Sequence, residues 1–247
     1  LLKWFKRDFF SWVNNPPCSA CSNAETVPTG MGRPSADDAA SGAGRVELYG
    51  CKACGAITRQ PLFARYNDPG RLLQTRRGRC GEWANAFALC CRAIGLDARY
   101  ILDLTDHVWV EYYSDAMQRW IHMDACEAAY DQPLLYEGGW GKQLTYVVAF
   151  SKAGVRDVTR RYTRQWDALQ TRRAEVSEPW LMSACYALTV RLRTELTASD
   201  RSLLEERDAA EDRELRDSQL PPPEVQTPLP GRQTGSVEWR AARGELG

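Results

Sequence analysis

Residues 78–95, GRCGEWANAFALCCRAIG, decide the architecture around which the rest of the chain is arranged. Cys80, Trp83, Ala84, Phe87, Ala88, Cys91 and Ile94 recur at the spacing of one helix face, and Gly95 supplies the stop. The helix therefore starts at a cysteine, just after the flexible Gly78. A thiol placed there meets free backbone N–H groups and the positive end of the helix dipole, and both favour the thiolate. Nearby arginines add positive potential. Lowering a thiol pKa by two units takes about 2.7 kcal/mol, within reach of a helix terminus acting with an imidazolium partner. Cys80 is a candidate nucleophile on these grounds; the plainer reading is a buried structural cysteine. Cys90, Cys91, Cys126 and Cys185 have no comparable setting and take that plainer role.

Beyond the helix, the runs ARYILDL (98–104), HVWVEYY (107–113), RWIHMD (119–124) and LTYVVAFS (144–151) are rich in β-branched and aromatic residues. A helix segregated from successive strands indicates an α+β fold with an antiparallel sheet. A base for Cys80 must be histidine, and the chain has two, His107 and His122. A hairpin turning through Ser114 to Met117 would set Tyr113 opposite Gln118, Glu111 opposite Trp120, Trp109 opposite His122 and His107 opposite Asp124. Val108, Val110, Ile121 and Met123 then share the other face. A carboxylate across from an imidazole orients the ring and stabilises its charged form. The loop length is an assumption, and a one-residue slip would separate the pair. From spacing alone, Cys80, His107 and Asp124 are a candidate trio.

Upstream, Cys18-x-x-Cys21 and Cys51-x-x-Cys54 have the spacing of two metal knuckles, and four thiolates suit a tetrahedral Zn2+. Unligated thiols or a redox pair are the alternatives. Residues 22–50 make a longer gap than usual, and its low-complexity part, Asn23 to Gly44, is expected to form a mobile loop. Such a closed site serves folding, not catalysis. The opening LLKWFKRDFFSWV fits an amphipathic helix with Leu1, Phe5, Phe9 and Trp12 on one side; its charges exclude a signal-peptide core or membrane span. The missing initial Met suggests a fragment or trimmed chain.

Composition narrows the function classes. Apolar content of 44%, 26% charged residues and zero formal net charge describe a globular domain with no global field for nucleic acid or a membrane. The runs Arg71, Arg76, Arg77, Arg79 and Arg156, Arg160, Arg161, Arg164 read as solvated faces or carboxylate partners. Nine cysteines without a visible secretory signal point to a reducing compartment, the cytoplasm or nucleus. Residues 1–190 form the expected catalytic core, with a zinc module at about 15–58. Within it, 151–190 read as strand and helix ending near a Pro179–Trp180 turn. Residues 191–247 form a tail, with a solvent-exposed helix over Asp200–Asp217 and an extended LPPPEVQTPLPG at 220–231.

Taken together, GRCGEWANAF (78–87), DHVWVEYY (106–113), RWIHMDACE (119–127) and LLYEGGWGKQLTYVVAFS (134–151) resemble the cytosolic peptide:N-glycanases of the transglutaminase-like superfamily. The resemblance runs from about Leu1 to Tyr162 and fades after Arg173. It implies a papain-like cysteine hydrolase core with Cys80 as nucleophile, His107 as general base and Asp124 as its orienter. It implies hydrolysis of the amide between an N-linked glycan and asparagine in misfolded or denatured glycoproteins, leaving aspartate, in support of proteasomal (ERAD) degradation. By the same carry-over Arg99, Trp109, Trp120 and Glu127 line the cleft, with Trp120 and Glu127 meeting the chitobiose core. A ubiquitin-receptor protein that shuttles substrates to the proteasome is the implied partner, and the layout resembles the compact fungal type. Competing readings are a transglutaminase or protease on the same scaffold, and a catalytically silent interaction module like the superfamily's DNA-damage relatives. The intact triad residue types and zero net charge weigh against the last.

Overall fold

The leading apolar stretch forms a shorter helix than its periodicity suggests. In the computed structural model, which describes residues 1–217 and 229–247 (the backbone alone over 58–64), α1 (Leu2–Trp4) runs into a π turn over Phe5–Phe9 and stops. Phe10 is extended, and this lets Phe5 and Phe10 stack at 5.2 Å and enter one core together. Trp12 leaves the helix for β1 (Ser11–Trp12).

The insert expected to be mobile is ordered. It contains β2 (Thr26–Gly32), α2 (Ala36–Ala40) and the first two residues of β3 (Ala43–Cys51), and β3 pairs on its other side with β4 (Ile57–Tyr66) in an antiparallel sheet. Local chemistry overrides composition here. Ser35 caps α2 and Asp38 returns a hydrogen bond to the Ser35 N–H, while Tyr66 donates to Asp38 at 3.1 Å. A bulge between Pro28 and Gly30 absorbs the irregular part of β2.

Next come α3 (Pro69–Thr75), β5 (Arg77–Gly78) and α4 (Cys80–Ala93). The parallel pairing of β5 with β1 fixes the chain just ahead of Cys80. Gly78 is required by crowding: a Cβ there would lie 2.4 Å from Glu82 Cβ. The Glu82 carboxylate accepts from the Arg79 N–H at 2.9 Å, closing the helix start. Trp83, Ala84, Phe87 and Cys91 are buried, with Phe5 edge-on to Trp83 and Phe87. Complete burial of a residue like Phe87 contributes roughly 1.5–3 kcal/mol. Ile94 departs from the expected face; it lies beyond the last helical residue and is 60% exposed.

α4 packs against β6 (Ala98–Asp103) and β7 (His107–Ser114). With β8 (Arg119–Asp124), β9 (Ala129–Tyr130), β10 (Val147–Phe150) and β11 (Val155–Asp157) these form an antiparallel sheet in the order β11-β10-β6-β7-β8-β9. The hairpin register differs from the expected one by two residues: Ser114 faces Arg119, Tyr113 faces Trp120 and Glu111 faces His122. The turn is Asp115–Gln118, with Gln118 at φ +51°. Because strand faces alternate with period two, an even displacement keeps every side chain on its expected face. Val108, Val110 and Met123 therefore meet α4, and the opposite face holds His107, Trp109, Glu111, His122 and Asp124.

That opposite face is covered by residues 135–169, which include α5 (Trp166–Gln170), and by α7 (Ala198–Asp217), while α6 (Glu178–Leu192) packs on β11 and α8 (Val237–Ala242) lies against Trp12. Pro179 and Trp180 begin α6 where a turn was expected, since proline is tolerated in a first helical turn. The division at residue 191 falls in the last turn of that helix. α7 is a helix as expected, but it is docked: Glu211 and Leu215 are buried. Glu211 accepts from Arg99 at 2.5 Å and from Arg161 at 2.8 Å, and both arginines also pair with Glu111. Most of the proline-rich stretch expected to be extended lies outside the described residues. No helix among the described residues is long and apolar enough to cross a membrane.

Candidate active site and metal cluster

Cys80 opens α4, half-buried, while His107 opens β7 and Asp124 closes β8. The three elements meet at one end of the sheet. His107 Nε2 lies 2.8 Å from Asp124 Oδ2. The two residues reach each other on a shared face without being direct cross-strand neighbours, which is why the two-residue change of register leaves the pair intact. His107 Nδ1 is buried with no hydrogen-bond partner of ordinary geometry among the described residues, and Cys80 is within its interaction range.

Four hydrogen bonds hold the Asp124 carboxylate. Oδ1 accepts the N–H groups of Cys126 (2.8 Å) and Glu127 (3.3 Å), and Oδ2 accepts from His107 and from the Tyr136 hydroxyl (3.0 Å). Tyr136 is itself tied to His122 Nε2 at 2.7 Å, and His122 Nδ1 accepts the Gln132 N–H at 3.3 Å. Since Nδ1 accepts, Nε2 carries the proton and donates to Tyr136. The chain of donors therefore runs from Gln132 through His122 and Tyr136 to Asp124, and each step reinforces acceptance at the carboxylate.

The electrostatics follow this geometry. Burial alone would raise the Cys80 thiol, but the neighbouring His107, with the charge of Arg232, outweighs it and lowers it. Burial opposes charge on His107, yet Asp124 raises its pKa above the usual imidazole value. Burial likewise opposes charge on Asp124, and His107 holds it far below the carboxylate range. His122 is pushed by burial down to about 4 and stays neutral. Thiolate and imidazolium are thus favoured as a pair, with the carboxylate ionised behind them. Such a set performs nucleophilic acyl transfer with His107 carrying the proton.

Of the other expected site residues, Trp109 and Glu127 adjoin this centre, with the Trp109 ring 5.7 Å from that of His107 and the Glu127 N–H on Asp124, whereas Arg99 and Trp120 lie apart from it. Trp109 is buried, donating to the Tyr162 hydroxyl at 2.7 Å. Arg99 and Trp120 are buried beneath α7, with the guanidinium 3.8 Å above the indole. Glu127 is half-buried and accepts the N–H groups of Gln233 (2.8 Å) and Thr234 (3.2 Å). Sequence reasoning missed Tyr136, Trp140 and Arg232. Tyr136 and Trp140 lie inside the quoted LLYEGGWGKQL stretch, where a tyrosine and tryptophan among glycines was the available signal. Arg232 left none, because 229–247 read as tail.

Cys18, Cys21, Cys51 and Cys54 converge at the end of the β2–β3–β4 sheet, with their sulfur atoms all within 4.8 Å of one another. Cys18–Cys54 and Cys21–Cys51 separations are 3.7 and 3.6 Å. Those are far from a disulfide and close to the ~3.8 Å edge of a tetrahedron with metal–sulfur bonds of ~2.3 Å. The Ala20 N–H points to Cys18 Sγ at 3.4 Å, as expected around a thiolate. These four cysteines can hold a metal ion.

Two family profiles match: the transglutaminase-like superfamily over residues 29–125 and the Rad4 transglutaminase-like domain over 103–216. The fold is therefore of the transglutaminase-like class. A protein of Arabidopsis thaliana named peptide-N(4)-(N-acetyl-beta-glucosaminyl)asparagine amidase is 49% identical over 247 residues, 100% of this chain and 34% of its own length. Its namesake in Yarrowia lipolytica is 45% identical over 251 residues, 100% of this chain and 68% of its own length. This chain belongs to the family of those amidases. It spans about a third of the plant relative, and the similarity does not fade after Arg173 but continues to the last residue. A crystal structure of Rad4–Rad23 bound to a 6-4 photoproduct UV lesion aligns with TM-score 0.46 at 21% identity, over 62% of this chain and 38% of that one, too loosely to argue from.

Proposed function

We propose that the chain is the catalytic core of a peptide:N-glycanase, hydrolysing the amide between an N-linked glycan and asparagine. The Cys80–His107–Asp124 arrangement carries this reading, in a chain matched from end to end by enzymes named for that reaction. The Cys80 sulfur attacks the side-chain carbonyl of the glycosylated asparagine. The C–N bond breaks as His107 passes the proton taken from the thiol to the departing glycosylamine nitrogen. Water then attacks the thioester, giving a proton to His107, which returns it to the sulfur as aspartate leaves. Asp124 remains ionised throughout.

Because His107 and Asp124 are buried and Cys80 is half-buried, the scissile group must enter a recess together with some of its peptide chain. Denatured or misfolded glycoproteins are accordingly the substrates we infer, which suits a role in proteasomal (ERAD) clearance in the cytoplasm and nucleus; nine free cysteines support a reducing compartment. We assign the four-cysteine cluster to structural Zn2+, on the thiolate donors and their tetrahedral spacing. Contacts with the chitobiose core fall to Glu127, with Arg99 and Trp120 in reach only where α7 moves aside, while Trp109 backs His107 from within the core. The partner we infer is a ubiquitin-receptor shuttle; Met182 and Tyr186, exposed one turn apart on α6, support docking there.

The test is incubation with denatured and native forms of one high-mannose glycoprotein, reading the mass of the released product. Cleavage of the denatured form should be faster on the order of 100-fold, as a local-unfolding cost of ~3 kcal/mol implies. Equal rates would contradict the recessed site, and no release from either would remove the assignment.

A further inference from the structure

The segment 229–247 lies against the loops that carry the triad, and its anchors adjoin all three residues. Trp239 packs against Trp12 at 6.0 Å, and Trp12 pairs with Gly78, two residues before Cys80. Arg243 bridges to Asp106 at 2.9 Å, next to His107. Gln233 and Thr234 cap Glu127, three residues after Asp124. Between these anchors Arg232 is 0% exposed, its guanidinium enclosed by the rings of Trp239 (4.4 Å), Trp140 (4.6 Å) and Trp12 (5.7 Å). The Trp140 ring is in turn 4.9 Å from that of His107.

A buried guanidinium normally has its donors filled. Here Nη1 pairs with Glu245 at 2.7 Å, while Nε and Nη2 have no hydrogen-bond partner among the described residues. Glu245 is also shared with Arg243 at 3.1 Å, so the fully buried Arg232 does not have this counter-charge to itself. We propose that Arg232 is a positioning residue of the Cys80–His107–Asp124 centre, a buried cation delivered by the 229–247 strap to the back of the tryptophan wall on which His107 rests. The inference rests on the reading of Cys80 as nucleophile. Its charge favours the thiolate and disfavours extra charge on His107. Asp106 opposes it from an exposed position, Asp124 acts through His107, Glu127 is capped by the strap, and Glu82 on α4 is engaged by Arg65.

The test uses the whole chain and iodoacetamide, following alkylation of the Cys80 peptide by mass spectrometry across pH, so it reads out whether or not any glycan is released. Arg232→Met should move the acid midpoint of Cys80 alkylation upward by about one pH unit, as expected for a charge on the order of 10 Å away at an effective dielectric near 20. Arg232→Lys should restore part of the shift. Should Arg232→Met fail to fold, Glu245→Gln decides: removing the counter-charge should move the midpoint downward. A merely structural role predicts slower alkylation with unmoved midpoints. Unmoved midpoints in the folded variants, or an upward shift in Glu245→Gln, overturn the proposal. If glycan release is absent but the midpoints shift as stated, the glycanase reading fails and this one stands.

Discussion

Glu211→Ala tests how α7 is held on the sheet. Glu211 is buried and accepts from both Arg99 (2.5 and 3.1 Å) and Arg161 (2.8 Å). Without it those two buried cations share Glu111 as their one fully buried counter-ion, since Glu214 is partly open to solvent. Breaking a buried network by removing one partner costs about 3–5 kcal/mol, because an uncompensated charge stays behind. For a chain of this length that lowers Tm by roughly 10 °C or more. Glu206→Ala, on the exposed side of the same helix, should stay within about 0.5 kcal/mol. The pH dependence has a definite sign. Burial opposes charge on Glu211, but Arg99 and Arg161 bring its pKa down to about 2, so its contribution is full above the unfolded value near ~4.3 and is lost as pH falls toward 2. Wild-type stability should fall across that window and the variant's should fall less. Chemical denaturation at pH 7 and pH 3.5 measures both. A loss below about 1 kcal/mol at pH 7 would refute docking through this network.

Asp124→Asn should cut kcat on the order of 10⁴-fold and bring down the alkaline limb of the pH–rate profile, because the Asp124 charge is what raises His107; an unmoved limb would contradict that. Tyr136→Phe leaves the buried His122 N–H without its acceptor and removes one of four bonds to Asp124, so denaturation should show about 1–3 kcal/mol lost and activity should fall roughly tenfold. Cys51→Ser, or a strong chelator, should unfold or aggregate the protein, and elemental analysis should find about one zinc per chain; active, metal-free protein would end the zinc assignment.

Much of the site was legible because its signals are local. A cysteine at a helix start, four cysteines in paired spacing and two strands of alternating character each need only a few neighbouring residues to be read. The His107–Asp124 pair survived a wrong loop length because faces depend on parity, and the shift was even. What escaped was non-local. Tyr136 and His122 acquire their roles by burial beside Asp124, which spacing does not encode. The acidic helix read as solvated because its carboxylates were counted without Arg99 and Arg161, which lie 112 and 50 positions from Glu211 along the chain. Arg232 reaches the catalytic centre across an even longer separation. The ordered insert was misjudged for a different reason: its small residues hid a capping box and a bulged strand, both decided by single side chains.

Whether Cys80 performs the chemistry is decided at the asparagine of the substrate. Denatured high-mannose glycoprotein is incubated with the wild-type chain and with Cys80→Ala, and the former glycosylation sites are sequenced by mass spectrometry. Aspartate is expected at those sites with the wild type and intact glycosylated asparagine with the variant, whose thermal stability should be nearly unchanged because Cys80 is only half-buried. Conversion of asparagine to aspartate by Cys80→Ala would contradict the assignment of Cys80 as nucleophile.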